Sequence, residues 1–389
     1  MKKIIIFASQ PLEKRNYYRF GLDIFSKENW HVIYCNLAFS TFKYDTKKKK
    51  VKKNLKNVKI FNISNIRQLS KILTNIEGYY YADFSAYSLL KIYANIKLSR
   101  KNIRLEFRIN NFPQPQKKFI TESFDDFRNF FKENNKLHKI NRMIINNLNK
   151  LFSRFYYKKS ILFYAGKKLS YSKNHLKKIS IHTMDYDIFL RSPSNKKKQN
   201  KVTFLDQYLE NHPDFKTHVK RTVVTKKKYF FSLKRFFDKL EKNFKLKTII
   251  AIHPRAPFNN SRFQTKKKVF YSSYSALTNS KLVIAHASVA VNFVSILKKP
   301  VIFIYTDEMI KNFPKLVLRI KLFAKEFGTT AINIDKDINI NKNEYLKINE
   351  KKYNAFFKNY ISDNKKNNLL FWKKVINELN KFTKVNERK

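Results

Sequence analysis

Glycine is nearly absent from this chain. There are four in 389 residues, Gly21, Gly78, Gly166 and Gly328, and none lies close to another. That excludes a Walker phosphate loop and the G-x-G-x-x-G dinucleotide fingerprint, which need clustered glycines so that backbone can approach phosphate. Cysteine is reduced to Cys35, which excludes an intrachain disulfide and a cysteine-based metal site. Acidic residues are few, 28 against 83 lysines and arginines, for a formal charge of +55. Long apolar runs are missing too. Met1-Lys2-Lys3 with Ile4 to Ala8 is too short for a signal peptide. The longest uncharged stretch, Leu282 to Leu297, falls short of the ~20 residues a span needs and contains His286, Ser288, Asn292 and Ser295. The expected location is the cytoplasm, with peripheral contact at the inner membrane.

What is abundant is lysine and aromatic residues. Hydrophobic residues make up 43%, with 37 Phe and 22 Tyr, ample for large cores, and the length suggests two domains at roughly 150 residues each. The charge alone points to nucleic acid or an anionic membrane surface. Its lysines, however, are spread along the chain, with runs at Lys47–Lys50, Lys196–Lys198, Lys226–Lys228 and Lys266–Lys268. Lys, Asn, Ile, Phe and Tyr all have A/T-rich codons, so genome bias accounts for much of the excess. The three-lysine runs read most simply as solvated loops.

Along the first half, strand and helix signals alternate. Lys3–Ala8 reads as a buried strand, Tyr17–Glu28 as a helix, Trp30–Cys35 and Val58–Ile63 as strands. Ile66–Ile76 is helical, Tyr79–Phe84 a strand, Ala86–Leu98 helical and Ile103–Ile109 a strand. Such alternation predicts right-handed βαβ units and a parallel sheet. After Asn111-Phe-Pro-Gln-Pro115 a helical insertion is expected near 117–157. There Leu137, Ile140, Ile144, Leu148, Leu151 and Phe155 recur opposite a basic face, which suits either a bilayer surface or a helix packed on its own domain. Ser160–Tyr164 and Ile179–His182 end the first half, and Arg191 to Lys201 is the expected junction. Strands at Val202–Leu205, Thr248–Ile252, Leu282–Ala285 and Val301–Tyr305 then alternate with helices at Phe231–Phe244, Tyr274–Ser280 and Val289–Leu297. A last amphipathic helix, 363–383, carries Leu369, Trp372, Ile376, Leu379 and Phe382, with Asp363 as expected N-cap. The expected fold class is α/β, with Rossmann-like domains over 1–192 and 200–360 and a C-terminal helix crossing back.

Chemistry is expected at strand ends, because open parallel sheets bind ligands beyond their carboxyl edges. The strand Thr248–Ile252 runs into His253-Pro254-Arg255, where His253 and Arg255 can donate to phosphate and Pro254 stiffens the exit. The plain alternative is a turn closed by proline. Leu282–Ala285 runs into His286-Ala287-Ser288, with Ser288 placed as N-cap of the next helix, whose free N–H groups suit a phosphate. A plain serine cap with a buried histidine beside it is the alternative there. Phe204-Leu-Asp206-Gln207-Tyr208 leads into His212-Pro213-Asp214, which makes Asp206 a candidate acid/base or a loop-stabilising Asx residue. For Asp185 and Asp187 the structural role is the stronger reading. In the first half Asp83 and Glu106 lie late in strands and are candidate general bases. No helical histidine pair at i, i+4 and no G-x-S-x-G elbow occurs, which sets aside metal and serine hydrolases.

With these residues the second half is similar, over roughly 180–310, to bacterial surface-polysaccharide (capsule or lipopolysaccharide) biosynthesis proteins of the sialyltransferase-like group. The two-domain plan resembles the GT-B fold of nucleotide-sugar glycosyltransferases. In that group an HP motif ends a strand, and a later Ser/Thr motif opens a helix at the nucleotide. The matching residues are His253-Pro254 with Arg255, and His286 with Ser288 ahead of Lys299-Pro300. The D-Y-D stretch at Asp185–Asp187 and the stretch Phe204–Asp214, with Gln207, match as well. The group's acidic-acidic-glycine motif has no counterpart beside any of the four glycines. The resemblance implies glycosyl transfer from a nucleotide sugar, CMP-linked donors among them, to a glycan or lipid-linked glycan acceptor. It implies no cofactor and no metal, an anionic membrane surface as partner and no specific nucleic acid. A sugar-nucleotide epimerase, a non-catalytic assembly protein and a basic nucleic-acid-binding protein are the alternatives.

Overall fold

A computed structural model describes residues 2–8, 12, 14–37, 56–74, 76–82, 89–109, 113, 143–145, 147–153, 158–169, 175–192, 200–212, 222–254, 256, 263, 266–269, 273–336, 340–363 and 368–386. Short apolar strands separated by helices form two parallel sheets. The first contains β1 (Lys3–Ala8), β2 (His31–Asn36), β3 (Val58–Asn62), β4 (Tyr79–Ala82), β5 (Ile103–Arg108), β6 (Ser160–Ala165) and β7 (Lys177–Ile181), in the order β3-β2-β1-β4-β5-β6-β7. The second contains β8 (Lys201–Leu205), β9 (Lys247–Ala251), β10 (Lys267–Val269), β11 (Leu282–Ala285), β12 (Val301–Tyr305) and β13 (Ala331–Asn333), in the order β10-β9-β8-β11-β12-β13. Every strand pairing within these two sheets is parallel among the described residues. Two Rossmann-like α/β units result, as the sequence pattern predicts.

Alternation along β1 shows how a parallel strand is buried on both faces. Ile4, Ile6 and Ala8 join one core cluster with Phe20, Phe25 and Trp30, while Ile5 and Phe7 join another with Cys35, Leu69 and Leu98. Burial holds the Cys35 thiol up at about 12, so it stays protonated and unreactive. The second sheet has one continuous core, into which helix Lys226–Phe244 sends Tyr229, Leu233, Phe236, Phe237, Leu240 and Phe244.

The chain crosses back at its end. Helix Phe371–Asn386 packs Phe371, Trp372, Val375, Ile376 and Leu379 into the first core, and Trp372 Nε1 donates to Arg19 O at 3.0 Å. Gly21 is where it lands. Its φ of 64° is left-handed, and a Cβ there would collide with the Trp372 ring.

Several expectations need correction. Tyr17–Glu28 is two short helices, Lys14–Arg19 and Leu22–Lys27, broken at Gly21. The last helix begins at Phe371, not at Asp363. Asp363 instead accepts from the Ser180 hydroxyl, and Asp187 Oδ1 takes the Phe371 N–H at 2.6 Å. Lys226–Lys228 is no loop but the first turn of a helix. It has no acidic residue in that turn and no side-chain cap, an arrangement the helix dipole disfavours by about 0.3–1 kcal/mol per exposed charge. Of the insertion near 117–157, residues 143–145 and 147–153 are described and are helical. The runs at Lys47–Lys50 and Lys196–Lys198 lie outside the described residues.

Candidate functional site

In the second sheet β9 and β11 leave β8 on opposite sides, so the topological switch point lies between β8 and β11. A crevice is expected beyond the carboxyl ends of that strand pair. The residues there are Asp206 and Gln207 after β8 and His286, Ala287 and Ser288 after β11, with His253 after the neighbouring β9. Gln207 spans the crevice, its Nε2 donating to Ala287 O at 2.5 Å. The amide orientation follows from that bond, because only the nitrogen can face a carbonyl. Gln207 Oε1 is then a buried acceptor with no hydrogen-bond partner among the described residues. An acceptor left so forfeits about 1–3 kcal/mol until something donates to it.

Asp206 holds the crevice together. It is 4% exposed, its Oδ1 accepts from Tyr208 N at 3.0 Å and its Oδ2 from His253 N at 3.3 Å, so one carboxylate ties the β8 and β9 exits. Tyr208 adopts a left-handed φ of 55°, uncommon for a side chain of its size, directly after the crevice residue. These bonds give Asp206 the Asx role that its position also allows. His253 is half-buried, with its ring 4.9 Å from that of His212. Pro254 is exposed at the exit; Arg255 lies outside the described residues.

His286 and Ser288 depart from expectation. His286 is fully buried. Its Nδ1 lies 2.6 Å from Ile304 O and must donate, so Nε2, 2.9 Å from the Tyr229 hydroxyl, accepts. Burial pushes its pKa down to about 4, against the carbonyl bond and the charge of Asp206, which raise it. With both ring nitrogens hydrogen-bonded and no exposed surface, His286 braces the loop from within the core. Ser288 does not cap a helix. Helix Val291–Ile296 has Ala290 at its N-cap, and Ser288 Oγ accepts from Ala290 N at 3.3 Å.

In the first half Asp83 lies outside the described residues. Glu106 sits late in β5 and accepts from Arg108 Nε at 2.9 Å. Its charge acts on His175, which bonds to Ser160 at the start of β6, the edge opposite the strand exits. Glu106 is therefore part of a sheet-face ion cluster.

One carboxylate of the first half contacts the helix that follows the crevice loop. Helix Met184–Arg191, capped by Thr183, carries Asp185 in its first turn, and Asn292 Nδ2 donates to Asp185 Oδ2 at 2.8 Å. Asn292 is the second residue of the helix leaving the Ala287–Ser288 loop. Burial pushes the Asp185 carboxyl up to about 6, with the Asn292 bond opposing. Its neighbour Asp187 is structural, binding Arg191 at 3.1 Å and the Phe371 N–H. Among the described residues no three His, Cys, Asp or Glu side chains converge as a metal site would require.

No family model matches the chain, and no curated protein sequence matches it. Among solved structures the chain is similar to a variant of the wall teichoic acid polymerase TagF, at 13% identity over 100% of this chain and 90% of that one, TM-score 0.46. It is also similar to the calicheamicin glycosyltransferase CalG4, at 8% identity over 86% of each chain, TM-score 0.45. A third is MurG of Acinetobacter baumannii, at 8% identity over 87% of this chain and 88% of that one, TM-score 0.41.

Proposed function

We propose that the chain is a glycosyltransferase that moves a sugar from a nucleotide-sugar donor to a cell-surface glycan or lipid-linked glycan acceptor. The observation that carries this reading is the orphaned Gln207 Oε1 at the switch point. A buried amide oxygen with no donor suits a ligand bearing N–H or O–H groups, such as a nucleobase or ribose. His253, partly open beside it, supplies a donor for phosphate. Asp185 enters from the first half, where the acceptor is read to lie.

In the reaction so read, Asp185 takes the proton of the acceptor hydroxyl. The acceptor oxygen bonds to the anomeric carbon while the bond from that carbon to the phosphate oxygen breaks. The electron pair leaves on the nucleotide phosphate, whose growing charge the pre-placed donors stabilise. A carboxyl near 6 is ionised at neutral pH yet basic enough to hold the proton.

Thermal-shift measurements with CMP, UDP, GDP and dTDP test the reading. One nucleotide should raise the midpoint of the wild type, and Gln207→Leu should lose at least tenfold in affinity for it while keeping its own midpoint. Stabilisation by none of the four, or equal affinity in the variant, would overturn it.

A further inference from the structure

The first turn of helix Lys226–Phe244 runs against its own helix dipole, and its outer face is as unusual. Lys226, Lys227, Lys228, Lys234 and Arg235 are all exposed, and Phe231 stands among them 68% exposed. Positions 227, 228, 231, 234 and 235 share one side by helical spacing. The neighbouring helix Asp307–Asn312 continues the face, because Glu308 accepts both the Thr225 N–H at 2.8 Å and the Thr225 hydroxyl at 2.6 Å. It adds exposed Ile310, at 44%, and exposed Lys311.

Of the acidic groups alongside, exposed Asp238 sits one turn beyond Lys234 and faces Lys266 at 3.5 Å, and the others are held in local hydrogen bonds. Asp335 accepts from Ser232 Oγ and Asp307 N, and Asp307 Oδ1 accepts from Asn333 Nδ2 at 2.6 Å. Arg235 donates to the carbonyls of Ile334 and Asp335 and stays on the face. The result is a face on which Phe231 stands among cations, with Ile310 and Lys311 exposed on the adjoining helix.

We propose that this face, around Phe231 and Ile310, docks on an anionic lipid bilayer, with the lysines on phosphate headgroups and the phenyl ring at the acyl boundary. Charge complementarity selects that occupant. A lysine held against an anionic leaflet raises partitioning roughly fivefold, and an aromatic ring adds burial that a purely solvated basic face lacks. Placement agrees. Both helices start at the edge of the sheet where β8 and β12 exit, and the Tyr229 hydroxyl in the first turn bonds His286 after β11. A bilayer on this face lies beside the crevice that would receive a lipid-linked acceptor. That purpose rests on the glycosyl-transfer reading, but docking itself is measured with no donor present, so the two fail separately.

The test is co-sedimentation of the full chain with phosphatidylcholine vesicles containing about one-third phosphatidylglycerol, at about 0.15 M salt. Lys227→Glu, Lys228→Glu and Lys234→Glu combined should lower partitioning at least tenfold. An equally charged control on the first sheet's side, Lys59→Glu, Lys71→Glu and Lys97→Glu, all exposed positions, should lower it less than about threefold. Phe231→Ser, with charge unchanged, should lower it about fivefold. Unchanged thermal midpoints confirm that the variants fold. Equal losses in the two triple variants would show that net charge alone binds the vesicles and would overturn the proposal. So would unaltered partitioning of Phe231→Ser, or binding of single-stranded RNA, but not of vesicles, through the same lysines.

Discussion

Asp185 is ionised at neutral pH only against the opposition of its surroundings. Its pKa is raised from 3.8 to about 6, so the folded state holds the proton more tightly than the unfolded one. Stability from this group is fully present below pH 3.8 and is lost as pH rises from there through 6, by roughly 3 kcal/mol once both states are ionised. His286 runs the other way. Lowered from 6.5 to about 4, it favours the fold above 6.5, and that contribution fades as pH falls towards 4. The two partly cancel between pH 4 and 6.5. Asp185→Asn removes one of them, so the variant should unfold at a higher temperature than wild type at pH 8 and at the same temperature below pH 4. Its turnover should fall at least a hundredfold, with nucleotide affinity kept. A lower midpoint at pH 8 would contradict the raised pKa, and unchanged turnover would remove Asp185 from the reaction.

Both residues show what sequence could and could not tell about the site. The strand-exit positions of His253 and Gln207 are legible because each follows an apolar strand, and strand exits are fixed by periodicity. The environment of Asp185 is not readable along the chain, because burial raises its pKa and the opposing hydrogen bond comes from Asn292, 107 positions away. The surroundings of His286 are hidden for the same reason, since the Tyr229 and Ile304 groups bonded to its ring lie 57 and 18 positions away.

Among the elements, the last helix has the most to lose. Trp372 is 2% exposed and packs its ring within 5.4 Å of Phe25, 5.3 Å of Phe107 and 5.0 Å of Phe371. Trp372→Ala should destabilise the protein by about 3–5 kcal/mol in denaturant unfolding; a loss below 1 kcal/mol would mean the helix is only lightly docked. Its amphipathic stripe was readable, but its start was not, because the group that caps it, Asp187, sits on another helix. Strands β1, β8, β9, β11 and β12 were readable as short β-branched runs. Strands β10 and β13, of three residues each, were missed. Such runs carry too little periodicity, and they exist because β9 and β12 offer edges to pair with.

Across the whole molecule, the two sheets are joined by several contacts besides the covalent link. Lys168 after β6 bonds Glu326 at 3.0 Å and the Tyr360 hydroxyl at 2.8 Å. Thr183 N donates to Ile361 O at 3.0 Å, and Gly166, at φ 76°, passes so close to Asn359 that a Cβ would strike its carbonyl. Removing residues 364–389 leaves those contacts in place while stripping one wall from the first core. The truncated protein should therefore melt in two steps, the first sheet well before the second; a single transition near the wild-type temperature would refute this.

That missing wall has a consequence in time. The first core holds Phe20, Trp30 and Tyr79 but closes only over Trp372 and Ile376, which are translated about 190 residues after β7. At ribosomal speed the opening half waits roughly 10–40 s for its own lid. The second sheet, complete in sequence before that helix emerges, is free to fold first, so the order of folding runs against the order of synthesis.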